Sequence, residues 1–231
     1  LRHTPTAVAM DAKPSQALRQ GRGSSLWNAI ESVKTGEAVA AVSAGNTGAL
    51  MAMSKLILRM VEGVHRPALV ASWPTRTGVC AALDLGADIS ADAGQLVEFA
   101  IMGAAFARAV HRKPAPTIGL LNVGSEDLKG HEEIREAARL IRASRLDLAF
   151  HGFVEGDDIA RGTVDVVVTD GFTGNIALKT AEGMAKMVSE LLREALTSSA
   201  LAKAGALLAM PALRRFQLRL DPRQVNGAVL M

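Results

Sequence analysis

The sequence predicts an α/β fold in which a mainly parallel sheet carries helices on both faces. The first observation is an alternation, from residue 38 onward, of short apolar or β-branched runs with longer segments of helical period. Strands that are apolar along their whole length are typical of parallel sheets buried on both sides. The second is composition: 49% of the 231 residues are hydrophobic, which supports a substantial core and excludes a disordered chain. We therefore expect helices to pack against both faces of the sheet.

The predicted elements follow one another along the chain without a long linker. Residues 1–37 are expected to form helix and loop. The glycine-containing stretch 21–25 is expected to be a flexible break, followed by a helix at 26–33. From short apolar runs we predict strands at 38–42, 68–71, 79–83, 117–121, 148–150 and 164–168. From helical periodicity we predict helices at about 47–61, 92–110, 130–143 and 174–196.

The two ends of the sequence indicate a fragment of a longer protein. The chain has no initiator Met, and it ends at 226–231 in a mostly apolar run that resembles the start of a strand. We expect a single α/β domain over 1–231, truncated at both ends, with a helical excursion at about 191–220. No apolar run approaches the roughly 20 residues that a membrane-spanning helix requires.

Charge and composition exclude several classes of function. The formal net charge is only +3, from 26 Lys and Arg against 23 Asp and Glu, and the aromatic residues are six Phe and two Trp with no Tyr. A nucleic-acid binder usually concentrates basic residues on one face and stacks bases on aromatic side chains. The five histidines lack the spacing of zinc ligands. The sequence also has no GxxxxGK[ST] loop, no complete GxGxxG fingerprint and no GxSxG elbow.

The single cysteine, Cys80, excludes an internal disulfide and any site with several Cys ligands. It lies within an apolar run, and we therefore expect it in the core rather than as a nucleophile. This use of cysteine fits a reducing cytoplasm.

Three glycine-containing turns are the candidate ligand sites. Residues 43–48 and 170–175 share the pattern GxTG, and each is predicted to follow a strand and open a helix; residues 122–126 also follow a strand. Glycine lets the backbone approach a ligand, and the N–H groups at the start of a helix attract phosphate. The carboxyl ends of parallel strands meet at the edge where α/β sheets bind ligands. The alternative is that these are only tight strand–helix turns.

Two sets of charged residues accompany these turns. Lys179 lies four residues past Asn175 on the same helix face, where it could neutralise phosphate or instead pair with Glu182 at the surface. The other set is a carboxylate series, Asp84, Asp88 and Asp92. Carboxylates bind Mg²⁺, but such residues more often cap helices and line turns, and so we predict no metal site.

At these turns the sequence resembles the bacterial phosphate acyltransferases. The resemblance covers roughly residues 15–231 in order, through the stretches 24–26, 42–50, 83–88, 119–124, 154–156 and 165–175. The family's opening strand with its Asp-Ala-Met-Gly-Gly-Asp motif is missing here, as is its last strand-and-loop region. Asp88 stands where the family usually has Asn.

The resemblance implies a three-layer αβα sandwich, similar to phosphotransacetylases and isocitrate-dehydrogenase-like enzymes. It also implies an acyltransferase of phospholipid synthesis, which moves a long-chain fatty acyl group from acyl-acyl-carrier-protein to inorganic phosphate and releases acyl-phosphate. The family requires no redox cofactor, and we expect none here. Its members are typically cytoplasmic homodimers that associate with the inner membrane face, where the next acyltransferase takes the product.

The mechanism expected from this resemblance is direct attack of phosphate on the thioester carbonyl, for which placement matters more than a strong base. The candidate catalytic residues are Asn46, Asn122, Asn175 and Lys179. Either of the first two would donate to the developing oxyanion, the third would bind phosphate and the lysine would offset charge. The candidate phosphate- or substrate-binding residues are Ser43, Gly45, Thr47, Gly48, Asp84, Asp170, Gly171, Thr173 and Gly174.

Two other functions stay open at this point. One is a relative of the same fold, either a phosphotransacetylase that uses acyl-coenzyme A or an NAD-linked hydroxyacid dehydrogenase. The dehydrogenase would need a clear cluster of Asp metal ligands and an adenine site, and the sequence shows neither. The other is a non-catalytic scaffold that recruits acyl carrier protein to the membrane.

Residues 191–220 combine apolar with basic side chains. Pro211 is predicted to break this segment into two helices, and the stretch 200–213 has one charge, Lys203. Helices with an apolar face and basic flanks often lie in a membrane interface or dock a partner. We expect membrane contact here, with a core-facing or dimer-forming helix pair as the alternative. The basic residues are Arg193, Lys203, Arg214, Arg215 and Arg219.

Overall fold

A computed structural model describes residues 3–220 and 227–231 of the chain. The chain divides into two units, Leu1–Pro67 with Val229–Met231 and Ala68–Ala228. The expectation of a single domain over 1–231 stays a prediction.

Three helices build the first unit: α1 (Pro14–Gln20), α2 (Ser25–Lys34) and α3 (Thr47–Ile57). Pro14 is the first residue of α1, a position at which a helix needs no N–H group. Ser24 caps α2, because its hydroxyl oxygen accepts the N–H of Trp27 at 3.2 Å. The apolar faces of the three helices meet in one core formed by Ala17, Leu26, Ile30, Ala49, Met53 and Ile57.

The strand predicted at 38–42 does not form, and that prediction was wrong. Residues 38–44 are neither helix nor strand, and both Val39 and Val42 are exposed. β-branched residues favour a strand where their side chains pack against a sheet and a neighbouring strand pairs with the backbone. The two valines bury no surface in this way, and propensity alone does not hold a strand.

The second unit is built on a sheet whose strands follow the order β4-β3-β5-β2-β1. These strands are β1 (Ala68–Pro74), β2 (Val79–Leu83), β3 (Thr117–Leu121), β4 (Ala149–Val154) and β5 (Val166–Val168). The neighbours β2, β5, β3 and β4 are parallel, whereas β1 is antiparallel to β2 and pairs Val70 with Leu83. The prediction of a mainly parallel sheet is confirmed.

Helices cover both faces of this sheet. α4 (Ala93–Ala109) and, beside it, α5 (Glu132–Ala143) lie on one face, where a Cβ added to Gly103 of α4 would be 2.5 Å from Val166 Cγ1. α6 (Gly156–Arg161) lies on the other face, because its Ile159 packs with Val167. Successive strand residues face opposite sides of a sheet, so the neighbours Val166 and Val167 meet different helices. The predicted α/β class is therefore confirmed.

Two long helices follow β5 and pack on each other: α7 (Gly171–Thr197) and α8 (Ala200–Leu220). The chain turns at Ser198, whereas Pro211 lies inside α8, so the predicted helix break at Pro211 was wrong. Proline removes one N–H and leaves a carbonyl of the preceding turn unpaired. Most of α8 is exposed, so water can bind that carbonyl. The run at the end of the chain forms the short strand β6 (Ala228–Leu230), as predicted.

Cys80 lies in β2 and is 1% exposed, in the core as the sequence predicts. Burial raises the pKa of its thiol from 9.0 to about 12. We expect the native protein to react with a thiol-specific disulfide reagent at pH 8 far more slowly than the urea-unfolded chain, as followed by absorbance. Equal rates for native and unfolded protein would contradict this placement.

The thiol of the unfolded chain ionises at a lower pH than the buried thiol. The contribution of Cys80 to the free energy of unfolding therefore falls as the pH rises from 9 to about 12.

Candidate functional site

The carboxyl ends of three neighbouring strands bring three predicted site regions together in the second unit. Strands β2, β5 and β3 are adjacent and parallel. Asp84 directly follows β2, Asn122 directly follows β3, and Asp170 comes two residues after β5. Because the three strands run in the same direction, these residues share the edge at which open α/β sheets bind ligands.

The Asp84 carboxylate is fully buried at this edge and is held by backbone N–H groups. Oδ1 accepts the N–H of Leu69 at 2.9 Å, both oxygens accept the N–H of Ala87 at 3.0 Å, and Oδ2 accepts the N–H of Asp88 at 2.9 Å. Burial raises the pKa of this carboxyl, and the N–H donors oppose the rise. Asp84 therefore fixes the loop after β2 and presents no side-chain surface to solvent.

Two glycines allow α7 to begin directly against this loop. A Cβ added to Gly171 would lie 2.6 Å from Asp84 Oδ2 and would overlap the backbone oxygen of Asp88. A Cβ added to Gly174 would overlap the backbone oxygen of Asp84 and lie 2.9 Å from Thr169 Cγ2. Backbone atoms cannot rotate away as side chains can, so the close approach requires glycine at both positions.

Asp170 caps α7 from the residue before it. Its Oδ1 accepts the N–H of Thr173 at 2.9 Å, and its Oδ2 accepts the Thr173 hydroxyl at 2.7 Å. A carboxylate at this place satisfies one of the first N–H groups of the helix and matches the positive end of the helix dipole. The second GxTG turn is thus a capped helix start, and Gly171 and Phe172 are the two residues of α7 that precede the capped N–H of Thr173.

Asn175 and Lys179 follow on α7, one turn apart and both exposed. The Asn175 side chain lies beside Gly86, at which a Cβ would be 3.6 Å from Asn175 Cγ. The Nζ of Lys179 lies 2.8 Å from Glu182 Oε2, the surface pair that the sequence offered as the alternative to phosphate neutralisation. Asn175 therefore lies at the contact between α7 and the loop fixed by Asp84.

Asn122 is 8% exposed and anchors the loop after β3. Its Nδ2 donates to the backbone carbonyl of Lys129 at 3.0 Å. Its Oδ1 is buried and has no hydrogen-bond partner within the described part of the chain. Gly130, with φ +85°, packs so closely that an added Cβ would overlap the amide. The amide donor of Asn122 is therefore engaged by the backbone.

Asn46, in the first unit, is the cap of α3. Its Oδ1 accepts the N–H of Ala49 at 2.9 Å. Its Nδ2 donates to three backbone carbonyls at 3.3, 2.9 and 2.9 Å, those of Ala9, Met10 and Ala12. The side chain thus joins the start of α3 to the segment before α1, and each of its polar atoms has a backbone partner.

The rest of the first GxTG turn surrounds Asn46 and is largely exposed. The Ser43 hydroxyl oxygen accepts the N–H of Gly45 at 3.0 Å. Thr47 and Gly48 are the first residues of α3, and their N–H groups are among those that a helix leaves without an internal partner. This turn belongs to the first unit, whereas the turns after β3 and β5 belong to the second.

Two positions were missed by the sequence analysis, Gly86 and Gly130. Both have positive φ, +122° and +85°, and each packs against a candidate site asparagine. The available signal was a glycine two residues after Asp84 and another eight residues after Asn122. Such a glycine can equally belong to an ordinary turn, and the contact becomes visible only when the loop is folded.

No group of three His, Cys, Asp or Glu side chains suited to a metal ion occurs among residues 3–220 and 227–231. Asp92 caps α4, since its Oδ1 accepts the N–H of Gln95 at 2.8 Å and the Gln95 side chain accepts the N–H of Asp92 at 2.9 Å. The Oδ1 of Asp88 accepts the N–H of Ile89 at 2.9 Å. These carboxylates cap a helix and line a turn.

We expect Gly174→Ala to lower the free energy of unfolding by about 1–3 kcal/mol, the usual cost of overpacking. The added Cβ has no room beside the Asp84 backbone oxygen. Gly183→Ala is the matched control in the same helix, because nothing lies within 4 Å of its Cβ position. It should raise stability by about 0.5–1 kcal/mol through a lower entropy of the unfolded chain. Urea titration measures both, and equal stability of the two variants would contradict the close approach.

Comparison with known families matches the whole chain, residues 1–231, to the family model described as fatty acid synthesis protein. The chain is 63% identical over 231 residues to the phosphate acyltransferase of Caulobacter vibrioides and 62% identical over 232 residues to that of Maricaulis maris. All of this chain aligns in both cases, but only 64% and 66% of the two relatives. The chain therefore spans slightly less than two thirds of their length.

Similar solved structures include two phosphotransacetylases. The EutD phosphotransacetylase from Staphylococcus aureus has a TM-score of 0.55 at 17% identity, over 76% of this chain and 60% of that one. The phosphotransacetylase from Streptococcus pyogenes has a TM-score of 0.56 at 19% identity, over 69% of this chain and 55% of that one. At these identities the likeness concerns the fold alone, and it confirms the expected phosphotransacetylase-like α/β architecture.

Proposed function

We propose that the whole protein is a phosphate acyltransferase, because the chain belongs to the family described as fatty acid synthesis protein. The observation that carries this proposal is 63% identity, over every residue of the chain, to a relative with that name. The reaction moves a long-chain fatty acyl group from acyl-acyl-carrier-protein to inorganic phosphate. Its product, acyl-phosphate, supplies glycerophospholipid synthesis.

The proposed chemistry is a single displacement at a thioester. A phosphate oxygen attacks the carbonyl carbon, the C–S bond breaks, and the carrier thiolate leaves and takes up a proton. Phosphate is already an anion at neutral pH, so the site has to place it and remove it from bulk water rather than deprotonate it.

The start of α7 is where we place phosphate in the second unit. Asn175 provides an exposed side-chain donor, and the Thr173 hydroxyl can rotate from Asp170 to phosphate. The backbone at Gly171 adds an N–H group and the dipole of the helix start. The N–H of Gly174 donates to the backbone carbonyl of Asp170 at 2.9 Å, so Gly174 serves the close approach of α7 to the loop rather than as a donor. We leave Asp84 out of the direct contacts, because it is fully buried and both of its oxygens accept backbone N–H groups.

Lys179 would offset the charge of the bound phosphate. Its partner in the structure is Glu182, and the pair is exposed, with 65% and 43% of the two side chains accessible. An exposed ion pair is worth only about 0–1 kcal/mol, so Lys179 can exchange Glu182 for phosphate at little cost.

The first GxTG turn, in the first unit, is the basis of a separate part of the proposal. Ser43, Gly45, Thr47 and Gly48 are proposed as further phosphate- or substrate-binding residues. The N–H groups of Thr47 and Gly48 at the start of α3 are the proposed backbone donors. Asn46 or Asn122 is proposed to donate to the developing oxyanion. Each of these amides donates to backbone carbonyls in the structure, so the donation requires the exchange of such a bond.

We expect Asn175→Ala in the full-length enzyme to lower turnover by about 10² to 10³, the usual effect of losing one donor that stabilises charge in the transition state. Acyl-phosphate formation from acyl-acyl-carrier-protein measures it. Asn28→Ala is the matched control, because Asn28 is a helix asparagine whose Nδ2 donates to the carbonyl of Gly23 at 3.3 Å, outside the proposed site. Turnover of Asn175→Ala within threefold of wild type would remove Asn175 from the site.

The same assay separates the proposal from its alternatives. Acyl-phosphate formed with acyl-acyl-carrier-protein but not with coenzyme A thioesters supports the phosphate acyltransferase. Turnover of acetyl-coenzyme A would identify a phosphotransacetylase instead. Binding of the acyl carrier protein without turnover would identify a scaffold.

The exposed apolar surface of α7 and α8 supports the proposed contact with the inner membrane face or within a homodimer. Exposed side chains include Met184, Leu191, Leu201, Leu207 and Leu208. Within residues 3–220 and 227–231 no single helix is long and apolar enough to cross a bilayer, and α7 with residues 200–216 meets the criterion only as a pair bent by 119°. Of the basic residues predicted to flank the apolar face, the side chain of Arg219 lies outside the described residues.

We expect the double variant Leu207→Glu/Leu208→Glu to keep the fold and to lower sedimentation of the full-length protein with anionic vesicles. Both side chains are exposed, at 70% and 86%, so the fold does not depend on burying them. Added negative charge opposes insertion among anionic headgroups. Val39→Glu/Val42→Glu is the matched control, since it adds two negative charges at two exposed apolar residues outside α8.

Unchanged vesicle binding by a folded, dimeric double variant would contradict membrane contact through α8. Loss of the dimer in the same variant, measured by sedimentation velocity, would identify the helix pair as the interface between two copies.

A further inference from the structure

Asp84 ties together three segments of the second unit. Its side chain accepts N–H groups from β1, through Leu69, and from the loop after β2, through Ala87 and Asp88. Its own N–H donates to the carbonyl of Thr169 at 3.0 Å, at the end of β5. A buried carboxylate is costly unless hydrogen-bonded, and here each oxygen has at least two donors. The carboxylate thus joins β1 to the loop after β2, and the backbone N–H of the same residue adds the end of β5.

The first turn of α7 rests on the backbone that Asp84 fixes. The Cβ position of Gly171 overlaps the backbone oxygen of Asp88 and lies 2.9 Å from its nitrogen. One turn further, Asn175 packs against Gly86 of the same loop. Because Gly171 has no side chain between its backbone and that of Asp88, a displacement of the loop would displace the start of α7 as well.

We propose that Asp84 is a positioning residue, which holds the start of α7 in the geometry that binds phosphate without itself touching phosphate. This inference rests on the proposed function, because it assigns a role within the same site. It predicts that Asp84 governs the affinity for phosphate rather than the affinity for the acyl carrier protein.

Asp84→Asn tests this role with a side chain of nearly the same shape. In either orientation the amide places an N–H₂ group where a carboxylate oxygen accepts the N–H of Leu69 or of Asp88 at 2.9 Å. Two donors at that distance repel, and the loop has to move. The start of α7 then moves with it.

The experiment uses the full-length enzyme, with the KM for inorganic phosphate and the KM for acyl-acyl-carrier-protein measured separately. We expect Asp84→Asn to raise the phosphate KM at least tenfold and to leave the carrier KM within twofold. Ile159→Ala is the control for lost stability, because it removes buried apolar surface in the cluster around α6. We expect it to leave both KM values within twofold.

A second variant keeps the test independent of the folding of Asp84→Asn. Gly171→Ala adds a Cβ on α7 that overlaps the backbone oxygen of Asp88, and so it changes the same contact between α7 and the loop. It too should raise the phosphate KM and leave the carrier KM unchanged. In the double variant the two effects should not multiply, because both displace one contact. If Asp84→Asn does not fold, a selective rise in Gly171→Ala supports the inference and an unchanged phosphate KM overturns it.

Other results would also overturn the inference. These are an unchanged phosphate KM in folded Asp84→Asn, an equal rise in both KM values, or a rise no larger than that of Ile159→Ala. A wild-type enzyme that forms no acyl-phosphate would instead overturn the proposed function, and so the two failures are distinguishable.

Discussion

The buried carboxylate of Asp84 is the interaction on which the geometry of the carboxyl edge depends. Three backbone N–H groups converge on it at 2.9 to 3.0 Å, and they come from chain segments that are not continuous with one another. Without this acceptor those part-buried donors would lose their partner, and a fully buried donor left unpaired costs about 1–3 kcal/mol. The glycines at 171 and 174 follow from the same constraint, because α7 approaches the fixed loop too closely for any side chain.

The long helices α7 and α8 have a different physical character from the rest of the second unit. The sheet and its covering helices bury or half-bury nearly all their large apolar side chains, whereas α7 and α8 expose residues such as Met184, Leu191, Leu201 and Leu208. Soluble monomers rarely expose large contiguous apolar patches, and such patches usually mark an interaction surface. The second unit thus combines a polar candidate site at a sheet edge with an apolar helical surface.

Much of the candidate site could be predicted because local chemistry determines it. Asp170 and Asn46 precede helices in the sequence, and both cap those helices in the structure. The turns after β3 and β5 meet at one edge because a parallel sheet leaves no other arrangement. What each side chain contacts could not be predicted: the amides of Asn46 and Asn122 bind backbone carbonyls 34 and 7 residues away. Partners that distant in sequence become neighbours only through folding.

The sequence by itself determined the α/β class, most strands and helices, and the buried position of Cys80, because alternation of apolar runs and helical periods is a local property. Tertiary structure decided the rest. Residues 38–42 have strand propensity but expose Val39 and Val42, and α8 continues through Pro211 because its surface is open to water. The position of Asp84 after β2 resembled a ligand site, yet folding surrounds it with backbone N–H groups. In each case the outcome depends on burial and pairing with distant segments, which no local pattern records.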